Sequence, residues 1–120
     1  MKDVLDQTVL EELLSITEEG DPELLLDLIR MFLDDSPSKV STIEEALDKG
    51  DFDKAERAAH SLKGSSGHLG ARAVQDICER LQATTRNHEL DRSRRLTPHL
   101  TEHYLKAEAA LRELMTIYED

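Results

Sequence analysis

The stretch HSLKGSSGHLG, residues 60–70, crowds three glycines, serines and a lysine around one histidine. It reads either as a loop that cradles phosphate or as a helix carrying one exposed imidazole. A phosphate loop follows a strand and opens a helix, so that unpaired backbone N–H groups converge on the anion. Here Phe52, Ala55, Ala59, Leu62 and Ser66 share one side of a 3.6-residue repeat, which places the helix around the histidine rather than after it. The residue order fails too, because Lys63 precedes Gly64, whereas a P-loop sets its lysine and Ser/Thr after the last glycine. The stretch therefore ends a helix expected over residues 52–66, with residues 67–70 as a tight link.

Outward from this helix, the apolar residues are chiefly Leu, Ala and Ile at spacings of three and four, with no Trp and no alternating strand pattern. Leu10, Leu13 and Leu14 mark a short first helix over residues 6–17, ended by EEGDP. Asp21 is suited to cap the next helix with Pro22 at its first position. That helix carries Leu25, Leu28, Ile29, Phe32 and Leu33, and after Pro37 the pattern resumes at Val40, Ile43 and Leu47; one kinked helix or two helices fit equally. Gly50 closes it and Asp51 caps the helix that bears the histidine. A fourth helix turns Val74, Ile77, Cys78 and Leu81 inward, and a last one runs to about residue 118, with Pro98 either in a first turn capped by Thr97 or at a kink. The expected architecture is all-α: one domain over residues 1–120, an up-and-down antiparallel four-helix bundle with an additional short N-terminal helix.

The chain has 120 residues and a net charge of −11, which argues against a nucleic-acid partner. The charge is uneven: 5 basic and 17 acidic residues up to Glu56, then 10 and 9. The half that begins at residue 57 is the easier approach for an acidic face or a phosphoryl group. No run nears the roughly 18 apolar residues of a membrane span, and the acidic N-terminus lacks a signal peptide's basic flank; a cytoplasmic location without membrane contact is expected. The lone Cys78 has no disulfide partner and reads as a core residue.

With steps of 100° from His60, Glu56 falls near about −40°, Lys63 about −60°, Gly64 about +40° and Arg57 about +60°, while the apolar side centres near about −120°. His60 thus points away from the core among charges. Gly64, one turn further on the same face, costs a helix interior roughly 0.5–1 kcal/mol relative to alanine. Access explains it best: without a Cβ beside the imidazole, another protein or a tetrahedral group comes close. An imidazole offers a nitrogen lone pair as nucleophile near neutral pH, and Lys63 can neutralise arriving phosphoryl oxygens. Phosphoryl transfer needs chiefly positioning and charge stabilisation, so this set is sufficient.

AAHSLKGSSGHLGA, residues 58–71, resembles the core motif of histidine-containing phosphotransfer (HPt) domains of two-component phosphorelays, H-x-L-K-G-S-(S/A)-x-x-L-G-A. The resemblance implies that His60 accepts the phosphoryl group, Lys63 steadies it and Gly64 clears space for the partner. It implies that Gln82 orients the imidazole, its carbonyl accepting from Nδ1–H and leaving Nε2 as nucleophile. Ser65 and Ser66 match the small polar pair and are expected to close the helix, with Arg57 as a supporting charge. His68 stands where relatives often have Asn, on the rim of the contact. Implied partners are response-regulator receiver domains and a histidine kinase or hybrid kinase. Magnesium would belong to the receiver, so no cofactor or metal is assigned to this chain, and a monomeric phosphocarrier rather than an ATP-using enzyme is implied.

His99 and His103, four apart, share a helix face, but no third ligand is evident and Glu102 is not where HExxH puts its glutamate. His88 reads as solvated in a polar link. The second function class is a helical adaptor that binds kinase or receiver through the same face without accepting phosphate.

Overall fold

A computed structural model of the chain describes residues 4–16 and 21–119. Five helices follow in order: α1 (Gln7–Ile16), α2 (Glu23–Asp48), α3 (Phe52–His68), α4 (Arg72–Arg86) and α5 (Leu90–Tyr118). There is no strand among the described residues. Helix α2 packs on α3, α3 on α4, α4 on α5 and α5 on α2, while α1 lies against α2. Links of three residues force each helix of the bundle to run back along the last. Ile29, Ile43, Leu62, Leu81, Leu100 and Leu111 fill the centre with no solvent exposure. Each such side chain contributes roughly 1.5–3 kcal/mol by leaving water. Cys78 is among them, and burial pushes its thiol up to about 12, so it stays neutral and acts as the core residue expected.

The three links share one geometry. After α2, the N–H of Asp51 bonds the Ala46 carbonyl at 2.8 Å and that of Gly50 bonds Leu47 at 3.1 Å. After α3, Ala71 bonds Ser66 at 2.9 Å and Gly70 bonds Gly67 at 3.2 Å; after α4, Glu89 bonds Thr84 at 2.8 Å and His88 bonds Thr85 at 3.1 Å. These are Schellman endings, which need a left-handed residue just past the helix. Gly50 and Gly70 supply it with φ of 70° and 75°, and His88 supplies it with φ of 54°. His88 is thus no plain solvated link: exposed as it is, its ring stacks on Phe52 at 4.7 Å and 2°.

Several boundaries differ from expectation for local reasons. Helix α3 runs two residues further, to His68, because the Schellman ending at Gly70 keeps Gly67 and His68 helical. Helix α2 begins at Glu23, one residue later, although Asp21 still accepts its N–H at 3.0 Å. The expected end of α1 at residue 17 and most of EEGDP lie outside the described residues.

Pro37 and Pro98 both sit inside unbroken helices. Pro98 cannot bond the Arg94 carbonyl, and the Thr97 hydroxyl donates to that carbonyl at 2.8 Å instead. Thr97 thus serves the interior of α5 and does not cap its start. Beside Pro37, the buried Ser36 hydroxyl donates to the Phe32 carbonyl and meets the Tyr104 hydroxyl at 2.9 Å, tying α2 to α5 at this point.

The N-terminal segment is anchored to the link after α3. Asp6 caps α1 by accepting from Thr8 N–H at 3.0 Å, its own N–H donates to the Gly70 carbonyl at 2.8 Å, and its carboxylate pairs with Arg72 at 3.1 Å. No helix among the described residues is long and apolar enough to cross a membrane.

Candidate functional site

Helix α3 owes its start to Asp51, whose carboxylate accepts from Lys54 N–H at 3.1 Å, as its place before Phe52 predicts. Ala55, Ala59 and Leu62 then bury the inner face completely. That leaves His60, in the middle of the helix, exposed on the outer face beside α4. Lys63 stands one turn on, half-buried and without an ion-pair partner among the described residues. Arg57 is exposed and likewise unpaired there. The two cations add positive potential beside the imidazole.

Gly64 is exposed, and a Cβ built there would meet nothing within 4 Å. The fold itself does not ask for glycine at this position. Gly70 contrasts with it: besides its positive φ, an added Cβ would lie 2.9 Å from the Asp6 backbone nitrogen. The vacancy at Gly64 faces outward, as an approach path for another molecule requires.

Gln82 reaches the imidazole from α4. Only 4% exposed, it sets its amide nitrogen 3.1 Å from His60 Nδ1 and donates to Glu56 Oε1 at 3.3 Å. The sequence led us to expect the amide carbonyl against Nδ1; the structure reverses the amide. A carboxylate oxygen can only accept, so the atom shared between Glu56 and His60 has to be the NH₂ group. Glu56 is in turn held by Arg86, with Nε at 2.9 Å and Nη2 at 2.8 Å. Partial burial pushes the Glu56 carboxyl upward, but hydrogen bonds from Gln82 and Arg86 outweigh it and hold the group below its ordinary value. No described residue offers Nε2 of His60 a hydrogen bond.

Ser65 and Ser66 do not close the helix as expected. Ser65 is turned back on α3, donating to the Ser61 and Leu62 carbonyls at 3.3 and 3.2 Å. Ser66 is fully buried, its hydroxyl has no hydrogen-bond partner among the described residues, and it is its backbone carbonyl that takes part in the ending. Beyond them, Leu28, Met31, Phe32 and Leu69 line a hollow that also takes in the charged Asp35 and Lys39 and the polar Ser65 and His68. Met31, 60% exposed, is the largest apolar contribution to the surface there.

Glu56 and Arg86 were not singled out as site residues from the sequence. The signal is nevertheless present: Glu56 precedes His60 by four and Arg86 follows Gln82 by four, so the two pairs stack on facing helices. His99 and His103 lie on α5, and no group of three or more metal-ligating side chains occurs among the described residues.

The Hpt domain family matches residues 27–116. Histidine-containing phosphotransfer protein 5 of Arabidopsis thaliana is 34% identical over 70 residues, covering 56% of this chain and 45% of that protein. Phosphorelay intermediate protein YPD1 of Saccharomyces cerevisiae is 28% identical over 88 residues, covering 72% of this chain and 52% of that protein. The chain thus spans about half the length of these curated relatives. The crystal structure of histidine-containing phosphotransfer protein B from Pseudomonas aeruginosa PAO1 superposes with a TM-score of 0.88 at 26% identity, covering 99% of this chain and 100% of that one.

Proposed function

The chain belongs to the Hpt domain family, and we propose from that premise that it is a phosphorelay intermediate: His60 takes a phosphoryl group from a receiver-domain aspartyl phosphate or a histidine kinase and passes it to a response regulator. The observation that carries this reading is the arrangement around the ring. Among the described residues, an exposed imidazole has Nδ1 engaged by a buried amide and Nε2 unengaged, beside a lysine without an ion-pair partner and a glycine the fold does not need.

Transfer runs as an in-line exchange. The Nε2 lone pair forms the bond to phosphorus, the phosphorus–oxygen bond to the aspartyl carboxylate breaks, and its electron pair stays on the carboxylate. Lys63 lies within one turn and offsets charge on the phosphoryl oxygens. Gly64 lets the partner's backbone approach. The hollow around Met31 gives a receiver apolar ground beside the histidine. Magnesium, which neutralises phosphoryl charge in such transfers, is on this reading held by the receiver's acidic pocket. The chain acts as a monomeric, cytoplasmic phosphocarrier of one domain, with no ATP site of its own.

The test is intact-mass measurement after mixing with receiver domains charged by acetyl phosphate, alongside His60→Gln. One acid-labile, alkali-stable phosphoryl adduct, absent from the variant, is expected. Folded protein that gains no adduct from any receiver, yet binds one, would make it an adaptor.

A further inference from the structure

The amide orientation at Gln82 decides which imidazole nitrogen can react, and the inference that follows rests on the phosphocarrier reading. Because the Gln82 nitrogen donates to Glu56, the same NH₂ group faces Nδ1 at 3.1 Å, and Nδ1 has to accept. The proton of the neutral ring then resides on Nε2. That is the nitrogen whose lone pair has to attack phosphorus. Turning the amide over would let its oxygen accept from Nδ1–H and so free Nε2. It would also press that oxygen against the Glu56 carboxylate, which Arg86 holds in place through two nitrogens on one oxygen.

We propose that Glu56 is a positioning residue that gates His60: by fixing the Gln82 amide nitrogen toward Nδ1, it keeps the resting ring in the unreactive Nε2–H tautomer. Arg86 is the latch. Its side chain is 66% exposed, so a docking partner that draws the guanidinium to its own acidic groups loosens Glu56 and frees the amide to turn. The proton balance closes. A proton leaves Nε2 to water and one joins Nδ1, where the turned amide oxygen receives its hydrogen bond; the Nε2 pair then bonds phosphorus. The phosphorylated ring holds its proton on Nδ1, and return of the phosphoryl group reverses each step.

The experiment is nitrogen–proton NMR on the full chain with ¹⁵N-labelled histidine, at a pH where the ring is neutral, since the nitrogen shifts report the tautomer directly. Wild type should hold its proton mainly on Nε2. Glu56→Ala should raise the ratio of Nδ1–H to Nε2–H about fivefold, the effect of one ordinary hydrogen bond, and should speed phosphoryl uptake from a charged receiver by a similar factor. Gln82→Glu in the Glu56→Ala background is the reference, because a carboxylate with no second carboxylate beside it can only accept and forces Nδ1–H. An Nδ1–H majority in wild type would overturn the proposal. So would a Glu56→Ala ratio that does not move while Gln82→Glu in that background shifts it, and His60 phosphorylation in that case would leave the phosphocarrier reading standing. A shifted ratio with no uptake by any form would sink the phosphocarrier reading and the gate with it, while the tautomer assignment stood.

Discussion

The α2–α5 side of the bundle and the α3–α4 side both contain departures from ideal helix, and they treat them differently. On the first side a neighbouring hydroxyl accompanies each proline inside a helix. Pro98 loses a backbone bond and Thr97 supplies a hydroxyl to the freed carbonyl; Pro37 is flanked by Ser36, which bonds both its own helix and Tyr104 of α5. On the second side, among the described residues, Gly64 weakens a helix interior with nothing beside it, Lys63 and Arg57 have no ion-pair partner, and the buried Ser66 hydroxyl has no hydrogen-bond partner. A departure answered inside the chain serves the fold, whereas an unanswered one on the surface points to something that arrives from outside.

The comparison breaks most sharply at His60. His60→Gln should abolish phosphoryl uptake while costing no more stability than about 0.5–1.5 kcal/mol, the worth of the one hydrogen bond it takes from Gln82; calorimetry and mass measurement on the same sample check both halves. Gly70→Ala comes next, because it meets a left-handed φ and the Asp6 backbone together. A loss of at least about 1–2 kcal/mol in denaturant unfolding is expected. Gly64→Ala should do the reverse, stabilising by roughly 0.5–1 kcal/mol and slowing transfer. A destabilised Gly64→Ala, or one that transfers at full rate, would erase the contrast between the two glycines.

Smaller effects sharpen it. His88→Gly relieves the left-handed strain of a side-chain-bearing residue, about 1–2 kcal/mol, but loses the stack on Phe52, about 0.5–1.5 kcal/mol. The net change in melting temperature should be slight, whereas His88→Ala, which keeps the strain and loses the stack, should melt earlier. The smallest is the pH response at Asp6. The hydrogen bond and charge of Arg72 hold its carboxyl below the ordinary value. A depressed folded pKa means that the pair's contribution is present above the unfolded carboxylate value of about 3.9 and fades as pH falls through the lowered one. Asp6→Asn should therefore lower stability slightly at neutral pH and flatten the acid limb, the two proteins converging as pH falls through the lowered value.

Most of the fold was legible because it is local. The i, i+3, i+4 spacing of leucines gave five helices, and Gly50 with Asp51 marks a helix end and a helix start within two residues. Pro37 and Pro98 were not decidable, since whether a helix survives depends on what the neighbouring hydroxyls reach: Thr97 its own helix, Ser36 a second one 68 residues away. In the sequence His88 reads only as solvated in a polar link, because a left-handed histidine has no spacing signature and its support, Phe52, starts a different helix. At the site, His60, Lys63 and Gly64 share one helix face and could be read from it, and the family motif pointed to Gln82. The direction of its amide could not be read, because Glu56 on the neighbouring helix imposes it.

The most direct test of the central claim is phosphorus NMR of the charged protein carrying ¹⁵N-labelled histidine. The account predicts a phosphoramidate signal split by one-bond coupling to Nε2 of His60 and absent from His60→Gln. A phosphoryl signal without nitrogen coupling, or one that survives the substitution, would contradict it.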